Sequence, residues 1–193
     1  MDTETLVTAI KQYLKNEDID FLYDDSKNRF TLLRGSTGIL NYLRHYLRVS
    51  DNGFTSTLKF PIKAPEDTRT EVVKYLNSIN WKLRASNFEM DSHDGEVQIR
   101  MYVDAEGLNE ISEAMIENAV YIPSSTIRNY GENILRIMMS NSTAEKEEAA
   151  KDDDHPLRGI HSLEQIKKKL EALQASLASD ESEDDEGEET SEE

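Results

Sequence analysis

The sequence predicts an α+β fold: an antiparallel sheet with an N-terminal helix, a middle helix and a C-terminal helix pair packed on one face, followed by a disordered acidic tail. Three observations predict it. Residues 97–103 alternate strictly, with Val97, Ile99, Met101 and Val103 on one side and Gln98, Arg100 and Tyr102 on the other. Asp94-Gly95 separates them from a looser alternation around Phe88 and Met90, so residues 80–104 read as a β-hairpin. Asn52-Gly53, flanked by LRV and FTSTLKF, is a second hairpin signal, because a two-residue type I′ turn takes positive φ at both centres. On either side of these hairpins the apolar residues fall at helical spacing, which favours an antiparallel sheet with covering helices over a parallel βαβ series.

The elements follow in order. Residues 4–16 place Leu6, Val7, Ile10 and Leu14 on one face of a first helix. IDFLYDDSKNRFTLL has two apolar runs split by DDSKN and reads as a pair of strands or one long bent strand. GILNYLRHYLRV fits a helix through Leu40, Leu43 and Leu47, and equally a strand with Leu43, Leu47 and Val49 opposite Tyr42 and Tyr46. The Asn52-Gly53 turn decides for a strand over 43–50, paired with 54–61. Pro61 and Pro65 close that strand, and EDTRTEVVKYLNSI forms the middle helix. Thr68 and Glu71 are placed as its capping box, and Val72, Val73, Leu76 and Ile79 as its buried stripe. Trp81 is expected in the core at the start of the next strand. A helix through Leu108, Ile111, Met115 and Ala119 is expected to break at Pro123, and another carrying Ile127, Tyr130, Ile134 and Ile137 to follow.

Charge divides the chain of 193 residues. From 141 to 193 there are 18 acidic and 6 basic residues, a net of -12; the total of -17 leaves -5 for residues 1–140. The expected division is a globular body over 1–140, a flexible linker over 141–161, an amphipathic helix over 162–178 and a disordered acidic tail over 179–193. Within the expected helix, Leu163, Ile166, Leu170, Leu173 and Leu177 repeat at a 3-4-3-4 spacing, a narrow seam little more than two heptads long. DESEDDEGEETSEE has 10 acids in 14 residues and no apolar side chain to offset the entropy of ordering.

Little here points to catalysis. The absence of cysteine excludes disulfides, thiolate metal sites and cysteine nucleophiles. His45, His93, His155 and His161 stand in unrelated contexts with no helical HxxxH pair. An EF-hand register with Gly95 in sixth place would begin at Met90 and end at Met101, neither of them a calcium ligand. Gly35-Ser-Thr-Gly38 lacks the Lys-Ser/Thr of a phosphate loop, and no G-x-S-x-G elbow is present. No catalytic residue, cofactor or metal is therefore expected. An acidic body with a more acidic tail disfavours nucleic acid as a partner. The N-terminus is periodic and acidic rather than a signal peptide, and no apolar run is long enough to span a bilayer. The expected setting is the cytoplasm, with no membrane association.

Residues 79–104 carry a more specific signal. Asn80-Trp81-Lys82-Leu83, Asn87-Phe88-Glu89-Met90-Asp91, Asp94-Gly95-Glu96-Val97 and Arg100 resemble the YbjN family of bacterial sensory transduction regulators. The proline-flanked helix before them and the helices after them, with Tyr130, also follow the family pattern over roughly residues 1–140. The resemblance implies the fold of type III secretion chaperones, which dimerise and hold extended segments of client proteins. It implies no enzymatic activity and brings no catalytic residues with it.

A sheet covered on one side leaves its other face open. Gln98, Arg100 and Tyr102, with Glu96, would form a polar and partly aromatic row there, against the alternative of a plain solvated surface. The expected function is a non-catalytic, chaperone-like or adaptor module that binds another polypeptide, by this row and by the leucine seam, with homodimerisation as a further implication. The competing readings are a small-ligand sensor or enzyme with a pocket between sheet and helices, and a charge-screening role centred on the tail.

Overall fold

Among the described residues, three α-helices and six strands follow one another in the order α1 (Thr3–Asn16), β1 (Asp20–Asp24), β2 (Arg29–Leu33), β3 (Arg44–Ser50), β4 (Gly53–Lys59), α2 (Arg69–Asn80), β5 (Asn87–Met90), β6 (Val97–Asp104) and α3 (Glu113–Ser140). The computed structural model describes residues 1–33, 43–140 and 143–144. The Gly35–Gly38 loop, most of the expected linker, the leucine seam and the acidic end lie outside the described residues.

The strands form one antiparallel sheet in the order β1-β2-β3-β4-β6-β5. α2 follows β4, β5 becomes an edge strand, and the chain returns through β6 to lie beside β4. The register links Phe21, Leu32, His45, Leu58, Ile99 and Phe88 into one row across all six strands. From Leu32 to Phe88 this row is buried, and the helices cover it. Side chains alternate faces along a strand, so the next row, Leu22, Thr31, Tyr46, Thr57, Arg100 and Asn87, lies on the opposite face. The α+β architecture expected from the sequence is the one found.

Core packing follows the expected helical stripes with particular exceptions. α1 buries Leu6, Val7, Ile10, Tyr13 and Leu14 against Phe30, Leu47, Val49 and Phe54 of the sheet. Each large aliphatic or aromatic side chain removed from water here stabilises the fold by ~1.5–3 kcal/mol. Asp2 caps α1 by accepting the Thr5 backbone N–H at 2.8 Å, and this bond holds its carboxyl below the ordinary carboxylate value. His45 sits in the otherwise apolar row at 4% exposure because Ser56, also buried, lies 2.8 Å from its Nε2. The β1–β2 connection is a short 3-10 turn that ends on Asn28 in the left-handed region.

Several local expectations are corrected. The C-terminal helix pair is a single helix: α3 runs through Pro123 without a break. It begins at Glu113, leaving Leu108 and Ile111 in the preceding loop, although Ile111 is buried. The second hairpin turns at Asp51-Asn52 rather than Asn52-Gly53, since Ser50 pairs with Gly53. None of these residues has positive φ, so the turn is not type I′. The Thr68–Glu71 capping box does not form. Thr68 Oγ1 donates to Pro65 O, while Glu71 accepts from Lys74 and from the Ala144 backbone. Val73 is 48% exposed and Tyr75 takes its place in the buried stripe of α2. Trp81, expected in the core, is 91% exposed at the end of α2.

Candidate functional site: the open face of the sheet

Strand alternation fixes what the uncovered face displays. β6 contributes Gln98, Arg100 and Tyr102, the row expected from the sequence, opposite Lys59, Thr57 and Thr55 of β4. β3 contributes Arg44, Tyr46 and Arg48, and β2 contributes Arg29 and Thr31. The structure therefore brings Gln98, Arg100 and Tyr102 together on one strand and surrounds them with a cationic and hydroxyl-bearing surface. The other expected contact residues, Leu163, Ile166, Leu170, Leu173 and Leu177, lie outside the described residues.

Each member of the β6 row is held differently. Glu89 on the edge strand accepts from Gln98 Nε2 at 3.1 Å and pairs with Arg100 at 2.7 Å. These bonds tie β5 to β6 from the open side. Tyr102 remains 53% exposed, with its hydroxyl donating to Asn52 O at 3.3 Å. Its ring lies over Gly53, where an added Cβ would come 2.9 Å from the phenolic oxygen and 2.1 Å from Val103 O. Gly53 is thus a place of close backbone approach rather than the centre of a turn.

The acids on this face stand at its margins. Glu96 pairs with Lys59 at 2.6 Å, and Asp24 on the edge strand β1 lies 3.8 Å from Arg29. The Ser26 hydroxyl, with Lys27 nearby, keeps the Asp24 carboxyl below its ordinary value, so it is ionised beside Arg29. Arg29 also lies over the Tyr46 ring at 5.0 Å, a cation–π contact. Beyond Glu96, Asp94 bonds Lys63 at 2.6 Å; that bond lowers the carboxyl pKa and raises that of the ammonium.

Sequence reading did not single out Arg29, Arg44, Tyr46, Arg48 and Lys59. The signal was present in RHYLRVS, where Arg44, Tyr46 and Arg48 alternate with His45, Leu47 and Val49. What the sequence alone does not give is the register that sets these residues beside β2, β4 and β6. Among the described residues, no three His, Asp or Glu side chains gather as a metal site, and no helix is long and apolar enough to cross a membrane.

Comparison with known proteins agrees with this architecture. No curated protein sequence matches the chain. Among solved structures, the fold is similar to that described as "Crystal structure of YbjN, a putative transcription regulator from E. coli", with a TM-score of 0.50 and 11% identity. The match covers 70% of this chain and 90% of that one, and at this identity it concerns the fold alone. The family model for YbjN, "Putative bacterial sensory transduction regulator", matches residues 7–135, which include all six strands and most of α3. The chain belongs to the YbjN family.

Proposed function

We propose that this protein is a non-catalytic regulator that acts in the cytoplasm by holding another polypeptide against the open face of its sheet. The observation that carries the reading is the contrast between the two faces. One is covered by α1, α2 and α3, while the other presents Gln98, Arg100 and Tyr102 beside Tyr46 with no helix over it among the described residues. An amphipathic, partly aromatic surface of this kind suits polypeptide recognition, in which aromatic and arginine side chains contribute most of the affinity. The family's description as regulatory supports the same direction. The leucine seam from Leu163 to Leu177, read from its spacing alone, is assigned as a second contact, either to the same partner or to a second copy of the chain.

The test is affinity capture followed by identification of the retained proteins, with the natural chain, an Arg100→Ala/Tyr102→Ala variant and a Leu170→Asp/Leu173→Asp variant. Loss of a discrete protein from the first variant, with an unchanged melting transition, is the expected result. Equal capture by all three chains would remove both surfaces from consideration. Dissociation of a dimer by the leucine variant, with capture intact, would assign the seam to self-association.

A further inference from the structure

The two edges of the sheet are finished differently. At the β5 edge, the Asn80 amide takes up both backbone groups of Phe88. β1 forms the other edge and pairs with β2 in unbroken register from Asp20 to Asp24. From Asp20 to Tyr23, the backbone groups turned away from β2 have no hydrogen-bond partner among the described residues. Alternate residues of a regular edge strand present such groups, and together they are a template for another strand. The template is held firmly on its core side. Phe21 and Tyr23 pack against Phe30, with ring centroids 5.5 and 4.6 Å away, and Lys11 of α1 lies 3.9 Å from the centre of the Tyr23 ring. On the other side Leu22 is 62% exposed, and Leu33, diagonal to it on β2, is 49% exposed.

We infer that β1 takes an extended segment of a partner protein as an added antiparallel strand, with an apolar side chain opposite Leu22 and a lysine or arginine opposite Asp20. In strand addition the main-chain hydrogen bonds supply the affinity, and the side chains at alternate positions supply the specificity. Directly opposed residues have Cβ atoms ~4.5–5.5 Å apart, close enough for opposite charges to pair and like charges to repel. Asp20 is exposed and has no cation within ion-pair distance among the described residues. Asp24 already lies 3.6 Å from Lys27 and 3.8 Å from Arg29. The pairing therefore calls for a cation at one end only. Antiparallel ladders are the more stable per residue, and in that direction the cation follows the apolar residue by two positions.

A second copy of the chain fits this edge less well. The register that overlaps the whole of β1 has its two-fold axis at Leu22 and sets Asp20 of each copy opposite Asp24 of the other. Two pairs of opposed carboxylates destabilise that arrangement. A partner with a cation in this place reverses the sign at Asp20. The acids thus guard the edge against its own kind and select what may add to it. The site is separate from the Gln98, Arg100 and Tyr102 row, which lies four strands away, ~19 Å across the sheet.

The experiment is fluorescence anisotropy of the full chain with three labelled peptides. The first is Thr-Thr-Leu-Thr-Lys, the second has Glu in place of Lys, and the third is Thr-Pro-Leu-Pro-Lys. The proline peptide keeps the charge of the first but lacks two ladder donors, so it reports simple attraction to the acidic residues 180–193. The expected result is saturable binding of the first peptide and none of the other two. Asp20→Lys should leave the melting transition unchanged, weaken the Lys peptide by about fivefold and make the Glu peptide the preferred one. Absence of saturable binding, equal binding of the proline peptide, or indifference to Asp20→Lys overturns the inference. In sedimentation velocity, a dimer that Leu22→Asp dissociates would assign the edge to a second copy and overturn it as well. Arg100→Ala/Tyr102→Ala should leave peptide binding as it is. Failure at the edge therefore leaves the open-face reading standing, and failure of capture through the open face leaves this one.

Discussion

Asn80 shows how one side chain can finish a sheet. It ends α2, and its amide accepts the Phe88 N–H and donates to the Phe88 carbonyl, both at 2.9 Å. An edge strand's backbone groups invite pairing with another chain, and proteins commonly blunt them. Here an amide with one donor and one acceptor imitates a neighbouring strand at that residue. Asn80→Ala should cost ~1–3 kcal/mol, the usual penalty for leaving partly buried polar groups without partners. Urea denaturation followed by circular dichroism measures it, and an unchanged midpoint would show that water replaces the amide at no cost. A second residue-scale prediction concerns the Lys63–Asp94 bond. The folded-state pKa of Asp94 is lowered from 3.8, so its contribution is present above that value and is lost as pH falls through the folded-state pKa. Lys63 is raised from 10.5, so its contribution holds below that value and is lost as pH rises through its folded-state pKa. Asp94→Asn should therefore destabilise at neutral pH and converge with the natural chain in strong acid. A difference that persists at low pH would place the effect in the turn, where Asp94 also accepts the Glu96 N–H, rather than in the charge.

At the scale of elements, α3 is where local rules gave way to packing. Proline lacks an N–H and crowds the carbonyl four residues earlier, so a helix is expected to end before it. α3 instead buries Ile116, Ala119 and Val120 before Pro123 and Ile127, Ile134 and Ile137 after it, so the helix is anchored on both sides of the proline. Hydroxyls supply extra donors around the proline, with Ser124 Oγ donating to Val120 O at 2.9 Å and Thr126 Oγ1 to Ile122 O at 2.8 Å. Burial along the whole helix outweighs the proline penalty of ~3 kcal/mol. Pro123→Ala should restore a donor without changing the path and raise the denaturation midpoint. A lower midpoint would mean that packing of the buried ring is worth more than the missing hydrogen bond. The hairpin at Asp51-Asn52 has a similar origin. Gly53 is required by the nearness of Val103 O across the β4–β6 pair, a long-range contact, and the Asn-Gly sequence gave the right hairpin with the turn misplaced by one residue.

For the whole molecule, the described elements are drawn together by buried apolar side chains. α1, β2, β3, β4, β6 and the first part of α3 share one buried cluster, and α2 packs against β5 and α3. Ala144, beyond the expected boundary at 140, is buried and donates its backbone N–H to Glu71 at 3.1 Å. That bond, after the one from Lys74, holds Glu71 below its ordinary carboxylate value. A chain ending after Ala144 should therefore unfold as cooperatively as the full one, at nearly the same midpoint. A chain ending at Ser140 should unfold slightly earlier. Calorimetry of the two would reveal any dependence of the core on later residues as a loss of cooperativity in the longer truncate.

The sequence by itself determined the fold class, the two hairpins, the buried stripe of α1, the open-face row Gln98, Arg100 and Tyr102, and the family. All of these are written in short-range periodicity, because each strand or helix must turn its apolar side to the core whatever its neighbours are. The tertiary structure alone decided the continuity of α3 through Pro123, the exposure of Trp81 and the place of His45 in an apolar row beside Ser56. It also decided the opposition of Arg29 to Arg48 and of Arg44 to Lys59. These depend on register and on contacts between segments far apart in the chain. A strand's alternation says which residues share a face, but only the pairing says which of them meet.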